Sequence, residues 1–208
     1  MNATRWLCRL TLRSSSRPGT LARVTQISRS MLSLYRESKM PVRIDLGQTL
    51  NEILLLMDRK LSDLNITVHT SLPEGIAVDG FPAELRQVFT NIITNAAEAS
   101  GRNGQIWVSV VPEPAGQSWD GIRTEAGALI LVRDCGPGIS DEVKEQLFQP
   151  FFTTKGQQGT GLGLWVSRGI VNKHNGCISI ASDMSEEFHG SVVSVFLATR
   201  PTMQLGGS

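Results

Sequence analysis

Gly159-Thr160-Gly161-Leu162-Gly163-Leu164 is a glycine-rich turn that runs straight into an apolar, helix-like segment ending near His174. Glycine has no Cβ, so this backbone can close on a phosphate, and the first amides of the helix behind it present unpaired N–H donors and a positive dipole end. A flexible turn before an ordinary helix is spelled the same way. What stands upstream decides between them.

Pro82 to about Ser100 reads as a helix, with Pro82 acceptable in its first turn. On it Asn91, Asn95 and Glu98 share one face, while Ile92, Ile93 and Ala96 point to the packed side. A wet helix face reads in this way too. An amide oxygen and a carboxylate on one ridge equally suit a Mg2+ ion that already holds waters and nucleotide phosphates. Asp134 follows the apolar run Ile130-Leu131-Val132 and precedes Gly136 and Gly138, which sets a carboxylate at a strand end with close backbone approach. It can accept a hydrogen bond from an exocyclic amine such as that of adenine, although Asp-x-Gly-Pro-Gly is also a plain turn. In Phe148-Gln149-Pro150-Phe151-Phe152-Thr153-Thr154-Lys155 the aromatic residues anchor a loop, and Lys155 is either a point charge for phosphate or a solvated surface amine. Thr160 can donate its hydroxyl to the same phosphate.

Around these pieces, Val42 to Leu46 alternates like a strand, and Leu46 to Leu64 carries a helix pattern through Leu50, Ile53, Leu54, Met57 and Leu61. Strands are expected over Ile66 to Leu72 and Ile76 to Asp79, with Pro73-Glu74-Gly75 as a turn between them. Gln105 to Val111 is a further strand, Pro112 to Gly127 a loop, and Ala128 to Arg133 a buried strand. A short helix covers Ser140 to Leu147, and Cys177 to Ala181 pairs with Ser191 to Ala198. Strands and helices mix without strict βαβ alternation, which predicts an α+β fold, a helix layer on one face of a mixed, mainly antiparallel sheet.

Residues 1–19 read as an irregular tail closed by Pro18-Gly19, and Thr20 to Met40 as a helix that Pro41 ends. Its stripe of Val24, Ile27, Met31 and Leu34 needs a partner surface, so self-association through 20–40 is expected, unless the stripe packs on the body. The first 36 residues hold seven arginines and no acid; removing those seven from the chain's +1 leaves −6 on the remainder. That arm has the composition of an organellar transit peptide or of a solvated basic tail. At 208 residues, 40% hydrophobic and 19% charged, the chain fits one domain plus an arm and carries no global field that points to nucleic acid. No apolar run reaches the ~18–20 residues that cross a bilayer. Cys8, Cys135 and Cys177 are scattered without metal spacing, which fits reduced thiols in a cytoplasm.

The order of the pieces is more informative than any one of them. Asn91-x-x-x-Asn95-Ala96-x-Glu98-Ala99, Asp134-x-Gly136-x-Gly138, Phe148-x-Pro150-Phe151-Phe152-x-Thr154-Lys155 and Gly159-x-Gly161-x-Gly163 resemble the N, G1, F and G2 boxes of two-component sensor histidine kinases. The resemblance covers roughly Pro41 to Ala198, and Thr20 to Met40 resembles the second helix of that family's dimerisation hairpin. It implies a Bergerat-type ATP-binding two-layer sandwich, shared with type II topoisomerases, heat-shock chaperones and mismatch-repair ATPases, over 41–200, with a short tail at 201–208. It further implies Asn95 as the Mg2+ ligand, Asn91 near the phosphates, Asp134 on the adenine amine, and Gly136 and Gly138 bordering the base. Phe148 to Gly159 would form a lid, with Phe152, Thr154, Lys155, Thr160, Gly161, Leu162 and Gly163 near the nucleotide. Glu98 stands where other subfamilies carry lysine. Superfamily members that hydrolyse ATP carry a glutamate where this chain has Asn91, which cannot serve as a general base, so phosphoryl transfer is favoured over hydrolysis.

The family's phosphoacceptor histidine is missing from these residues, whose histidines are His69, His174 and His189. The resemblance therefore implies a kinase domain that takes ATP and Mg2+, works on a histidine-bearing dimerisation domain in cis or in trans, and signals to a response regulator. Two other readings stay open, a non-catalytic nucleotide-regulated scaffold and a serine/threonine kinase of the same superfamily.

Overall fold

The computed structural model describes residues 40–115, 118–119, 122–123, 126–156, 159–184 and 189–199. The 1–19 tail, the 20–40 helix apart from its last residue Met40, and the 201–208 tail lie outside them. Alternation sets the sheet. Ile106, Val108 and Val110 of β4 (Gln105–Glu113), Ala128, Ile130 and Val132 of β7 (Gly127–Asp134), and Val193, Val195 and Leu197 of β9 (Gly190–Ala198) are all buried. Period-two spacing puts each trio on one face, and the register Val108↔Val132↔Val193 aligns them. With β2 (Thr67–Ser71) and β8 (Cys177–Asp183) they form a five-stranded sheet in the order β2-β4-β7-β9-β8. Every pairing is antiparallel except β2 with β4, which is parallel.

Three helices cover that apolar face. α1 (Leu46–Asp63) buries Leu46, Leu50, Ile53, Met57 and Leu61. α2 (Pro82–Ser100) buries Leu85, Val88, Phe89, Ile92, Ile93, Ala96 and Ala97, and α4 (Gly163–Lys173) buries Val166, Ile170 and Val171. All belong to one core with the sheet, the two-layer arrangement expected from the sequence. β1 (Val42–Asp45) and β3 (Ala77–Gly80) make a separate antiparallel pair beside α1. Asp45 ties that corner together. One carboxylate oxygen caps α1 at Gln48 N, 2.8 Å away, and the other takes Gly75 N at 3.0 Å.

Two boundaries differ from the sequence reading. The strand expected to stop at Val111 continues to Glu113, paired opposite Gly127, and the expected loop holds a two-residue pair, β5 (Ser118–Trp119) with β6 (Ile122–Arg123). β2 ends opposite Ser109, so beyond it one edge of β4 pairs with no strand among the described residues, and an edge tolerates the missing N–H of Pro112. The helix expected over 140–147 shrinks to α3 (Asp141–Lys144), which buries no residue and so has no apolar face to hold further turns.

Gly169 sits inside α4 with no atom of the described residues within 4 Å of where a Cβ would stand. Gly169→Ala is expected to stabilise the fold by about 0.5–1 kcal/mol, because alanine loses less backbone entropy in a helix. Thermal unfolding checks this; an unchanged or lower midpoint contradicts it.

Candidate functional site

α2 is the common wall of the site, and three groups of residues meet it at successive turns. At Asn91, the side-chain Nδ2 donates to Gly163 O at 3.3 Å and Ser167 Oγ at 3.4 Å, which fastens α2 to the first turn of α4. Leu162 occupies the N-cap of α4 without a side-chain cap, and the helix ladder begins at Val166 N, which donates to Leu162 O at 2.9 Å. The opening amides are thus the orphan donors that a phosphate can satisfy. Thr160 Oγ1 accepts from Leu162 N at 3.4 Å, which leaves the hydroxyl hydrogen to donate outward. Gly161 holds the turn at φ +65.

At Asn95, Oδ1 accepts from Lys155 Nζ at 3.0 Å, and the same ammonium donates to Glu98 Oε2 at 2.6 Å. Glu98 Oε1 takes Lys60 Nζ of α1 at 2.7 Å. Burial alone would push the Glu98 carboxyl up, but the bonds from Lys155 and Lys60 outweigh it and hold it below the usual carboxylate range. Lys155 is therefore neither free in solvent nor far from α2. On the same loop Phe152 is half-buried and Thr154 exposed.

At the C-terminal end of α2 lies Asp134. The alternation Ala128, Ile130, Val132 continues into it, so its carboxylate lies on the helix-covered side of the sheet, 5% exposed. Oδ1 accepts from Gly136 N at 2.9 Å and Ser191 N at 3.1 Å, while Oδ2 takes no hydrogen bond from the described residues and can accept one from a ligand. Burial raises this carboxyl above its ordinary value, only partly offset by the two amides and the Arg133 charge. A Cβ on Gly136 would come within 2.9 Å of Ala99 O, so only glycine lets this turn lie against α2. Gly138 continues the turn at φ +81. His189 Nδ1 is 2.9 Å from Gly136 O and steadies it.

The structure thus gathers Asn91 with Gly163, Asn95 with Lys155 and Glu98, and Asp134 with Gly136. Lys60, Ser167, Ser191 and His189 were missed by sequence reasoning. Each acts through a partner distant in sequence.

Residues 80–201 match the family described as histidine kinase-, DNA gyrase B-, and HSP90-like ATPase. The chain belongs to this family. The match runs from the end of β3 through β9 and takes in all three groups on α2. Among curated relatives, the sensor histidine kinase ZraS of Escherichia coli (strain K12) is 32% identical over 185 residues, 86% of this chain and 36% of ZraS. Sporulation kinase C of Bacillus subtilis (strain 168) is 32% identical over 154 residues, 73% of this chain and 32% of that kinase. The chain spans about a third of the length of these relatives. The catalytic domain of histidine kinase ThkA superposes with a TM-score of 0.65 at 29% identity, covering 77% of this chain and 97% of that domain. ThkA in complex with the response regulator protein TrrA gives 0.69 at 25% identity, over 89% of this chain and 50% of that one. The unit on these residues is the ATP-binding catalytic domain of sensor histidine kinases.

At the other end of the α2–α4 pair, His174 locks the family fold. Its Nε2 accepts from Phe81 N at 3.0 Å, so the proton is on Nδ1, which donates to Ile170 O at 2.8 Å. The ring is buried at the start of α2, with Lys173 bonded to Glu84 Oε1 at 2.6 Å beside it. Burial lowers the His174 pKa below 6.5, partly opposed by the Ile170 carbonyl and Glu84 and aided by Lys173. A protonated ring would turn a second donor onto Phe81 N–H. Because the unfolded chain takes up this proton first, the stability contributed by neutral His174 is present above its unfolded pKa and lost as pH falls below it. Urea unfolding of wild type and His174→Gln at about pH 7.5 and about pH 5.5 should show a difference that shrinks on the acid side. An equal difference at both would contradict it.

Proposed function

We propose that this domain binds Mg-ATP in the space between α2, the Asp134 turn and the start of α4, and passes the γ-phosphate to a histidine on a dimerisation helix, in cis or in trans. Asp134 Oδ2 is assigned to the adenine amine, with Gly136 and Gly138 beside the base. Asn91, Thr160 and the amides of Gly161, Leu162 and Gly163 are assigned to the phosphates, with Phe152, Thr154 and Lys155 on the loop beside them. The oxygens Asn95 Oδ1 and Glu98 Oε2 already hold an ammonium, and hard oxygen donors of this kind fit Mg2+. Asn95 is assigned as its ligand. The ion would screen the phosphate charge during transfer.

The observation that carries this reading is the Asp134 carboxylate, buried with one oxygen fixed by two backbone amides and the other without a hydrogen bond from the described residues. A buried carboxylate is costly unless a partner completes it. The transfer reading, rather than hydrolysis, rests on Asn91, whose amide is bonded to α4 and has no basicity to activate water. His69 stacks on Trp107 at 5.2 Å and bonds Gln105, His174 is buried, and His189 holds Gly136. We assign none of the three as the acceptor. A cytoplasmic setting and a response regulator as the next acceptor belong to the same proposal, as does pairing through residues 20–40.

Mixing the chain with a histidine-bearing helical hairpin and γ-labelled ATP should give acid-labile phosphate on the hairpin and none on the chain alone. Acid-stable phosphate would favour a serine/threonine kinase. ATP binding without any transfer would favour the scaffold reading.

A further inference from the structure

Lys155, Asn95, Glu98 and Lys60 form one chain of contacts across three elements: the loop at 148–156, α2 and α1. Lys155 Nζ stands 3.0 Å from Asn95 Oδ1 and 2.6 Å from Glu98 Oε2. Lys60 Nζ holds the other Glu98 oxygen at 2.7 Å. Asn95 and Glu98 are three apart on one helix, so their oxygens converge on a single point above that face. A point flanked by an amide oxygen and a carboxylate oxygen is a cation position, and here a side chain of the protein fills it. An ammonium and a divalent ion drawn to the same oxygen, Asn95 Oδ1, would repel each other at close range.

We propose that Lys155 is the resident cation of the Asn95–Glu98 ridge, that Glu98 is the positioning residue that keeps it there, and that a divalent ion reaches Asn95 only by exchange with it. The inference rests on the reading of Asn95 as the metal ligand. Lys60 has a defined part in it: by taking Oε1 from α1, it fixes the carboxylate so that Oε2 faces the loop. The sign of the charge at 98 matters here, because a lysine in place of Glu98 would repel Lys155 rather than hold it. The released Lys155 would be free to turn to phosphate, the role a point-charge donor suits. Both side chains of the pair are partly exposed, at 39% and 36%, which makes it weak enough to exchange.

Two readouts that need no activity test it on the nucleotide-free protein. Lysine acylation by a water-soluble acetylating ester, followed residue by residue by mass spectrometry, reports how tightly Lys155 is held. Glu98→Gln should raise labelling of Lys155 about two- to fivefold, as expected for loss of a partly exposed pair, and Lys60→Met should raise it less. Mn2+, a spectroscopic substitute for Mg2+, should bind Lys155→Met about fivefold more tightly than wild type once the competing charge is gone. Adding Asn95→Ala should erase that gain.

Unchanged labelling in Glu98→Gln together with equal Mn2+ affinity in Lys155→Met overturns the proposal, even in a protein that binds ATP normally. A gain in Mn2+ affinity that survives Asn95→Ala also overturns it, because the exchange would then lie elsewhere. If the predicted changes appear in a chain that binds no ATP, the cation exchange stands and the kinase reading fails.

Discussion

Asp134→Asn is expected to weaken ATP binding by about 10- to 150-fold, since a hydrogen bond to a charged group contributes about 1.5–3 kcal/mol, without lowering the thermal midpoint of the nucleotide-free protein. Asparagine can keep Oδ1 where Gly136 N and Ser191 N donate to it, at 2.9 and 3.1 Å in the aspartate. The change falls on the other atom, where an acceptor oxygen becomes an NH2 donor facing the donor amine of adenine. The fold should not suffer. Burial raises the folded-state pKa of Asp134, so its ionised form costs stability above that pKa and the cost is relieved as pH falls through it. A neutral asparagine never incurs that cost. The same shift predicts that wild-type ATP affinity declines on acidification from a pH above the ordinary 3.8 of an aspartate, and that the variant lacks this slope. Inosine triphosphate, with a carbonyl in place of the amine, supplies the complementary test: it should bind Asp134→Asn better than ATP does. Calorimetry with both nucleotides decides it. Equal ATP affinity in wild type and variant would remove Asp134 from base recognition.

What was legible in the sequence follows from locality. Asn91, Asn95 and Glu98 lie within three turns of one helix whose buried face is spelled by Ile92, Ile93 and Ala96, so their common exposure could be read directly. Asp134 was legible as a strand-end carboxylate, because Ile130 and Val132 mark the strand and the glycines mark its end. Its direction was not, because the side of the sheet that receives helices is set by the packing of α1, α2 and α4. Lys60 was invisible: it is separated from Glu98 by 38 residues and reaches it only because α1 packs beside α2. Lys155 illustrates the opposite failure. Its loop was recognised, but a charge in isolation reads as phosphate-seeking, and the carboxylate that holds it lies 57 residues upstream. The parallel pairing of β2 with β4 was hidden for a similar reason, since α2 and β3 intervene and no turn chemistry fixes the register.

A loss of comparable size is expected from Gly161→Ala, one methyl group placed where the turn meets the loop. A Cβ at Gly161 would stand 2.3 Å from the carbonyl carbon of Phe151, 2.5 Å from its oxygen and 2.7 Å from its Cα. These are backbone atoms, so no rotamer change relieves them. Phe151 has φ +68 and Gly161 φ +65, so the contact joins two left-handed residues, and alanine at 161 adds a strain of about 1–2 kcal/mol from its own dihedral. Turn and loop must part by roughly 1 Å to restore ordinary contact distances. α4 cannot follow, because Val166, Ile170 and Val171 are buried in the core, 6% exposed or less. The displacement therefore falls on residues 159–163, which carry Thr160 and the opening amides of the helix. A shift of that size breaks one or two hydrogen bonds to the charged phosphate, each contributing about 1.5–3 kcal/mol, so ATP affinity should fall on the order of 100-fold while the thermal midpoint drops by only a few degrees, as roughly 1–2 kcal/mol implies. Gly169→Ala, the same methyl added inside α4 with no described atom within 4 Å, is the internal comparison and should leave ATP affinity unchanged. Wild-type affinity in Gly161→Ala would mean that the phosphate-facing amides do not depend on the turn's seat against Phe151.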